Sequence, residues 1–233
     1  MIFQIMVMRL GKLVVEAEEG ETFDIELEKD LLEANRKIAL ENKNTFDKFN
    51  VEVIDIMGSI GSGKTSLIEN LVDKLKNKFR IAVINGDLTS TIDSNRIEKH
   101  GVKVIQINTG KECHLDANLV RKAIAQMDLS KLDLVFIENV GNLICPAEFP
   151  LGSSKRIVVI SVTEGPYMVI KHPFIFMESD VAIINKIDLA NAMSVSIDQL
   201  IKDINQINPN TKVIKVNCRR SIGIDEVMQA LNL

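Results

Sequence analysis

Residues 58–65, Gly58-Ser59-Ile60-Gly61-Ser62-Gly63-Lys64-Thr65, match G-x-x-x-x-G-K-S/T, a spacing that handles phosphate. Glycines let the backbone curl until its N–H groups point into a phosphate-sized hollow. The start of a following helix adds partial positive charge there. Lys64 is expected to reach the β- and γ-phosphates of a nucleotide, and the Thr65 hydroxyl to bind Mg²⁺. Gly58, Ser59, Gly61, Ser62, Gly63, Lys64, Thr65 and Ser66 are therefore the expected phosphate-contacting residues. An apolar run at 51–57 precedes the loop. Leu67, Ile68, Leu71, Val72 and Leu75 mark an amphipathic helix after it, which is the context the motif requires.

A second constellation reads a base. Asn185-Lys186-Ile187-Asp188 follows the apolar run 181–184 and resembles the N-K-x-D motif of GTPases. Guanine offers N1–H and N2–H₂ side by side, and the Asp188 carboxylate can accept both. Adenine has no such donor pair on that edge. Lys186 can lay its stem along the base plane, and Asn185 can tie this loop to the phosphate loop. Asn217-Cys218-Arg219 occupies the place of the GTPase S-A-K turn, where Cys218 is assigned to the nucleotide through a backbone N–H.

Two carboxylates stand at strand ends: Asp87 after the run 81–85, and Glu138 after the run 134–137. Ligands of open α/β sheets bind beyond the C-terminal ends of the strands. Glu138 and Asp87 are accordingly assigned to Mg²⁺ or its waters. With Lys64 they form the expected catalytic set, and the Gly141 backbone is placed to sense the γ-phosphate. Asp87 or Asp93 is a candidate to position the attacking water. Asp93 reads equally well as the cap of the helix that carries Arg96.

Cys113-His114 lies beyond the run 102–107, and Cys145 beyond Glu138–Gly141. Both loops leave the same edge of the expected sheet. Two thiolates and an imidazole suit Zn²⁺ or Ni²⁺ rather than oxygen-seeking Mg²⁺ or Ca²⁺. Spacing alone leaves open a second reading, two buried free cysteines that only pack. Glu112 and Asp116 read as solvated helix-start carboxylates, and the Cys218 thiol as structural. His100 and His172 do not cluster with cysteines.

These residues need a scaffold that brings loops to one edge. Val/Ile-rich runs at 51–57, 81–85, 102–107, 134–137, 156–162, 181–185 and 212–216 lack alternation, as strands buried on both faces do. Helical stretches are expected at 64–77, 92–100, 115–127, 166–178, 196–207 and 224–231. The alternation predicts an α/β fold with a mainly parallel sheet covered by helices on both faces. Ahead of it, Leu31, Leu32, Asn35, Ile38, Ala39 and Asn42 predict a helix over 30–46. Phe23, Ile25 and Leu27 alternate with acids in a strand-like way and, with 13–15 and a turn at Gly20, outline a small hairpin. The expected division is an N-terminal extension with helix at 1–47 and a nucleotide domain at 48–233.

Composition limits the function classes. Among 233 residues, Lys+Arg 28 against Asp+Glu 32 gives a net charge of −4, which argues against a nucleic-acid partner. No apolar run is long enough to span a membrane. Three cysteines do not make a disulfide framework, so a reducing cytoplasmic setting is expected.

Taken together, residues 58–65, Lys111-Glu112-Cys113-His114-Leu115-Asp116, Glu138-Asn139-Val140-Gly141-Asn142-Leu143-Ile144-Cys145-Pro146, Lys171-His172-Pro173 and residues 185–188 resemble the HypB family over about residues 30–233. The cysteine-containing segments are the specific part. The resemblance implies the SIMIBI class of P-loop GTPases, nucleotide-controlled homodimers that serve nickel insertion into nickel–iron hydrogenase. It implies a Ni²⁺ or Zn²⁺ site of Cys113, His114 and Cys145 at the dimer interface. It also implies GTP/GDP with Mg²⁺, and partnership with a HypA-type chaperone and the hydrogenase large subunit. Lys171 is expected to reach the partner's nucleotide. With no obvious catalytic Gln or arginine finger, slow intrinsic turnover is expected. The cysteine-rich or histidine-rich N-terminal nickel segments of many relatives are missing here, since no Cys or His precedes His100.

Two other readings compete. A urease-accessory GTPase shares the phosphate loop and N-K-x-D but carries Cys-Pro-His, whereas here Cys113 is followed by His114, and Cys145-Pro146 by Ala147. A metabolic P-loop kinase would need an arginine-rich lid that the sequence lacks.

Overall fold

Seven apolar runs become seven parallel strands in a computed structural model that describes residues 25–88 and 90–233. They are β1 (Glu52–Gly58), β2 (Ile81–Asp87), β3 (Lys103–Asn108), β4 (Leu134–Glu138), β5 (Lys155–Ser161), β6 (Val181–Asn185) and β7 (Lys212–Lys215). Their order in one sheet is β3-β2-β4-β1-β5-β6-β7, with every pairing parallel. The helices are α1 (Ile25–Lys48), α2 (Lys64–Leu75), α3 (Ile92–Glu98), α4 (Ala117–Ile124), α5 (Cys145–Glu148), α6 (Met168–Lys171), α7 (Pro173–Met177), α8 (Ile197–Ile207) and α9 (Ile224–Leu231).

The strands are apolar at successive positions because the sheet is covered on both faces. Ile54 and Ile56 of β1 pack with Leu67, Leu71, Val227 and Leu231 of α2 and α9. Val53 points the other way, into a cluster with Phe46 of α1 and Val120 of α4. Along β5 and β6, Val158, Ile160, Ala182 and Ile184 meet Phe176 of α7 and Leu200 of α8. Edge strand β7 has no fully buried residue, and its lysines lie at the exposed ends of the run.

α1 is tied to the segments flanking this sheet by two asparagines seven residues apart on one helical face. Asn42 Nδ2 donates to the carbonyls of Ala117 (2.8 Å) and Leu151 (3.1 Å). Asn35 donates to Pro150 O (2.9 Å) and accepts from the Ala117 amide (2.8 Å). Ala117 opens α4, directly after the loop that carries Cys113 and His114.

Three local expectations change. The alternation at 23–28 reads as strand, but α1 already includes Ile25. Extending a formed helix adds one hydrogen bond per residue, and six alternating residues do not outweigh that. The rest of the hairpin, residues 13–15 and the turn at Gly20, lies outside the described residues. The helix expected over 166–178 is two short helices, because Pro173 lacks an amide donor and holds His172 out of the helical region at φ −130 and ψ 55. Asp93 does not cap α3. Thr91 stands at that position and Asp93 lies in the first turn. Among the described residues, no helix is long and apolar enough to cross a membrane.

Candidate functional site

The C-terminal ends of β1, β2, β4 and β6, with the turn after β7, surround a cleft of about 810 Å³. Its walls include Gly61, Gly63, Lys64, Thr65 and Ser66, then Asp87, Glu138 and Gly141, and finally Asn185, Lys186, Asp188 and Cys218. Parallel pairing explains the convergence, since every loop named leaves the same edge of the sheet.

The phosphate loop depends on glycine where the chain turns hardest. Gly63 has φ 106, and a Cβ there would meet Asn185 Nδ2 at 2.1 Å. Lys64 is buried, and its Nζ donates to the carbonyls of Gly58 and Ser59, both at 3.1 Å. Burial lowers the Lys64 ammonium pKa, while Glu138, Asp93, Glu164 and Asp87 oppose that shift. Ser66 Oγ accepts from Arg96 Nη2 at 3.1 Å.

Thr65 Oγ1 donates to Glu138 Oε1 at 2.7 Å, and Glu138 Oε2 is buried without a hydrogen-bond partner among the described residues. Burial pushes the Glu138 carboxyl up to about 7 against the pull of Lys64 and the Thr65 hydroxyl. A hydroxyl beside an incompletely satisfied carboxylate is a donor set that fits an oxygen-seeking divalent cation. Asp87 ends β2 and accepts from Ser90 Oγ at 2.8 Å. Asp93 pairs with Arg96 (3.1 Å), which also forks onto Glu69 at 2.6 Å. Arg96 and Arg219 line the cleft as well, and of the two only Arg219 lies in a sequence motif, the Asn217-Cys218-Arg219 turn. The signal at Arg96 was its i, i+3 spacing from Asp93. A Cβ on Gly141 would meet Ile60 Cγ1 at 2.4 Å, so this glycine lets the loop after β4 lie against the phosphate loop.

On the base side, Asn185 Nδ2 donates to Ser62 O at 2.8 Å, and its Oδ1 accepts from the amides of Lys186 (2.7 Å) and Cys218 (3.1 Å). One side chain thus joins the phosphate loop, the 185–188 segment and the turn after β7. The Cys218 amide is engaged by this bond, so Arg219 is the next residue in that turn whose amide could meet a base. Burial pushes the Cys218 thiol up to about 12, which leaves it a neutral packing group. Lys186 Nζ donates to Gly61 O at 2.7 Å. Asp188 sits in a short 3-10 turn on the cleft wall. Lys171 is exposed at the end of α6 and does not line the cleft.

The three soft donors meet beside this cleft. The ligand atoms of Cys113, His114 and Cys145 lie within 4.8 Å of one another, with the two Sγ atoms 2.9 Å apart. Cys113 is exposed and Cys145 half-buried, so these two are not the packed core thiols of the competing reading. The His114 ring lies 3.9 Å from that of Phe149. Burial lowers the His114 pKa, favouring the neutral imidazole that binds metals. Asp116 caps α4 by accepting from the Leu119 amide at 2.7 Å, as a helix-start carboxylate does. Asn142 connects the two centres. Its amide donates to Gly58 O (3.1 Å), its Nδ2 to Cys113 O (3.3 Å), and its Oδ1 accepts from the Ile144 amide (2.9 Å).

Comparison with known proteins gives consistent matches. The sequence model described as "CobW/HypB/UreG, nucleotide-binding domain" matches residues 52–215. The probable hydrogenase maturation factor HypB of Methanocaldococcus jannaschii is 50% identical over 205 residues, covering 88% of this chain and 93% of that protein. The crystal structure of hydrogenase maturation factor HypB from Archaeoglobus fulgidus superposes with a TM-score of 0.80 at 40% identity, covering 85% of this chain and 97% of that one. HypB from Helicobacter pylori in complex with nickel gives 0.81 at 35% identity, covering 85% and 94%. At the level of fold alone, the likeness extends to an LAO/AO transport system kinase, with a TM-score of 0.53 at 16% identity over 88% of this chain and 74% of that one.

Proposed function

Because this chain belongs to the CobW/HypB/UreG family and aligns with HypB maturation factors over most of its length, we propose that it is a GTP-hydrolysing metallochaperone that assists nickel insertion into hydrogenase. The observation that carries this reading is the placement of Cys113, His114 and Cys145 within 4.8 Å of one another, with Cys145 at the end of the loop whose Val140 and Gly141 line the nucleotide cleft.

Lys64 leaves its carbonyl partners at Gly58 and Ser59 to meet the β- and γ-phosphates. The amides of residues 58–65 and the N-terminus of α2 hold the phosphate chain. Thr65 and Glu138, with Asp87 nearby, would hold Mg²⁺, which supplies charge neutralisation on the phosphates when bound. Asp188 accepts the N1–H and N2–H₂ of guanine, and Lys186 covers the base. Hydrolysis by this set is positioning and electrostatics, and turnover is slow without a partner.

Nickel is the cargo. Two thiolates and a neutral imidazole match its preference for soft and borderline donors, and Zn²⁺ fits the same set. A second copy of the chain completes the arrangement, with Lys171 directed at the partner's nucleotide and the metal sites facing each other. A HypA-type chaperone and the hydrogenase large subunit are the expected partners, in the cytoplasm. In this reading the chain divides into an N-terminal extension with its helix at 1–47 and a nucleotide domain at 48–233.

Ni²⁺ and Zn²⁺ titration by calorimetry tests the reading, on wild type and Cys145→Ala, with GDP and with a non-hydrolysable GTP analogue. Binding that needs Cys145 and differs between nucleotides supports it. Affinity indifferent to both the thiol and the nucleotide rejects metal transfer through this site.

A further inference from the structure

Two charged residues of the central strands, Asp55 and Arg156, do not line the nucleotide cleft. Asp55 lies in the middle of β1 and is fully buried. Arg156, near the start of β5, is its direct register partner across the β1–β5 pairing. Arg156 Nε lies 3.5 Å from Asp55 Oδ2, an ion-pair contact in which neither atom has a hydrogen-bond partner among the described residues. A buried charge without a partner is strongly destabilising, so each residue requires the other.

What the pair holds is specific. The Arg156 guanidinium extends to the last turn of α5, where Nη1 donates to Ala147 O at 3.2 Å and Nη2 donates to Pro146 O. These carbonyls belong to the two residues after Cys145, at the end of a four-residue helix with no following turn to satisfy them. The other carboxylate oxygen, Asp55 Oδ1, accepts from Asn139 Nδ2 at 3.3 Å. Asn139 Oδ1 in turn accepts from the Leu115 amide at 3.1 Å, the residue directly after His114. One buried carboxylate therefore has Cys145 at the end of one arm and Cys113-His114 at the end of the other.

We propose that the buried Asp55–Arg156 pair is a positioning device that fixes the separation of Cys145 from Cys113 and His114, and so sets the affinity and geometry of metal bound there. The inference rests on the reading of those three residues as a soft-metal site. Groups that hold metal ligands in place commonly contribute 10–100-fold in affinity.

The test uses wild type and Asp55→Asn/Arg156→Met, a double variant that removes both charges and strands neither. Each is titrated with Ni²⁺ alone while thiolate-to-nickel charge-transfer absorption is followed. GDP affinity and thermal unfolding are measured alongside. The expected result is roughly 10–100-fold weaker Ni²⁺ binding with an altered charge-transfer band, GDP affinity unchanged and a cooperative melt retained. Arg156→Lys, which keeps the charge but not the planar fork, should keep the wild-type melt and still alter the band. Wild-type Ni²⁺ affinity and spectrum in the double variant overturn the inference. So does a parallel loss of Ni²⁺ and GDP binding, which marks a general structural role. A wild type that takes up no Ni²⁺ overturns the metal reading itself, and this inference with it.

Discussion

The Asn142 amide donates to the Gly58 carbonyl at 3.1 Å, pairing the loop after β4 with the first residue of the phosphate loop. The side chain of the same asparagine reaches Cys113 O and the amide of Ile144, the residue before Cys145. One residue therefore touches the phosphate loop and both cysteine segments. A nucleotide changes metal affinity only if the two nucleotide states differ at the metal site. Asn142→Ala keeps the amide contact and removes the side-chain contacts to both cysteine segments. The expected outcome is a loss of most of the difference in Ni²⁺ affinity between GDP and a GTP analogue, with each nucleotide still bound. Calorimetric titration in the two states checks this, and an undiminished difference rejects Asn142 as the link.

Glu138 makes folding stability depend on pH in the nucleotide-free protein. Its carboxyl is pushed up to about 7 by burial, from an ordinary value of 4.5. The folded state thus holds a proton that the unfolded state releases near 4.5. This contribution is fully present below pH 4.5 and is lost as pH rises through 7. At about 1.4 kcal/mol per pKa unit, the loss is ~3 kcal/mol. Glu138→Gln mimics the protonated side chain and should remove that dependence. Urea unfolding of both proteins at pH 5 and pH 8 measures it, with the variant expected to gain relative stability at pH 8. A stability difference that stays flat between the two pH values contradicts the assignment.

The contiguous parts of this site were legible in the sequence. Residues 58–65 and 185–188 carry their chemistry within a few positions, and the runs around them announce strand, turn and helix. Parallel alternation also placed Cys113-His114 and Cys145 at one sheet edge, because each follows a strand of that sheet. What the sequence did not show depends on register and on single side chains reaching across the fold. Asp55 and Arg156 are 101 positions apart and meet only because β1 and β5 pair with that offset. Asn142 reads as one polar residue in a loop until its amide is seen on Gly58. The break at Pro173 is written in the sequence, since proline has no amide to donate inside a helix.

α1 is held by polar contacts as well as apolar ones, so small changes at its seat should be costly. Asn42→Ala leaves the carbonyls of Ala117 and Leu151 without their buried donor, and a loss of ~2 kcal/mol is expected. Gly152→Ala attacks the same seat by sterics, since a Cβ there would meet Ala39 O at 2.5 Å at a φ of 96. Denaturant midpoints of both variants give the size of the effect. A separate early transition in either variant would show α1 coming away first. If both variants unfold at the wild-type midpoint, the seat contributes nothing to stability.

Base selection should rest on Asp188, the one carboxylate on the cleft wall in the 185–188 segment. A site built to pair with two donors rejects a base that lacks them by up to about 10⁴–10⁵. Wild type is therefore expected to bind GDP far more tightly than ADP. In Asp188→Asn, one of the acceptors that meets guanine becomes an NH₂ group, and a donor faces a donor. GDP affinity should fall by at least about 100-fold, an amount consistent with burying unpaired polar groups. Xanthosine diphosphate carries a carbonyl where guanine carries its amino group, so the same change should favour it. Fluorescent-nucleotide competition with GDP, ADP and xanthosine diphosphate measures all three preferences on both proteins. A variant that still prefers GDP as strongly as wild type would mean that the base is read elsewhere in the cleft, with the turn at Cys218 and Arg219 the next place to look.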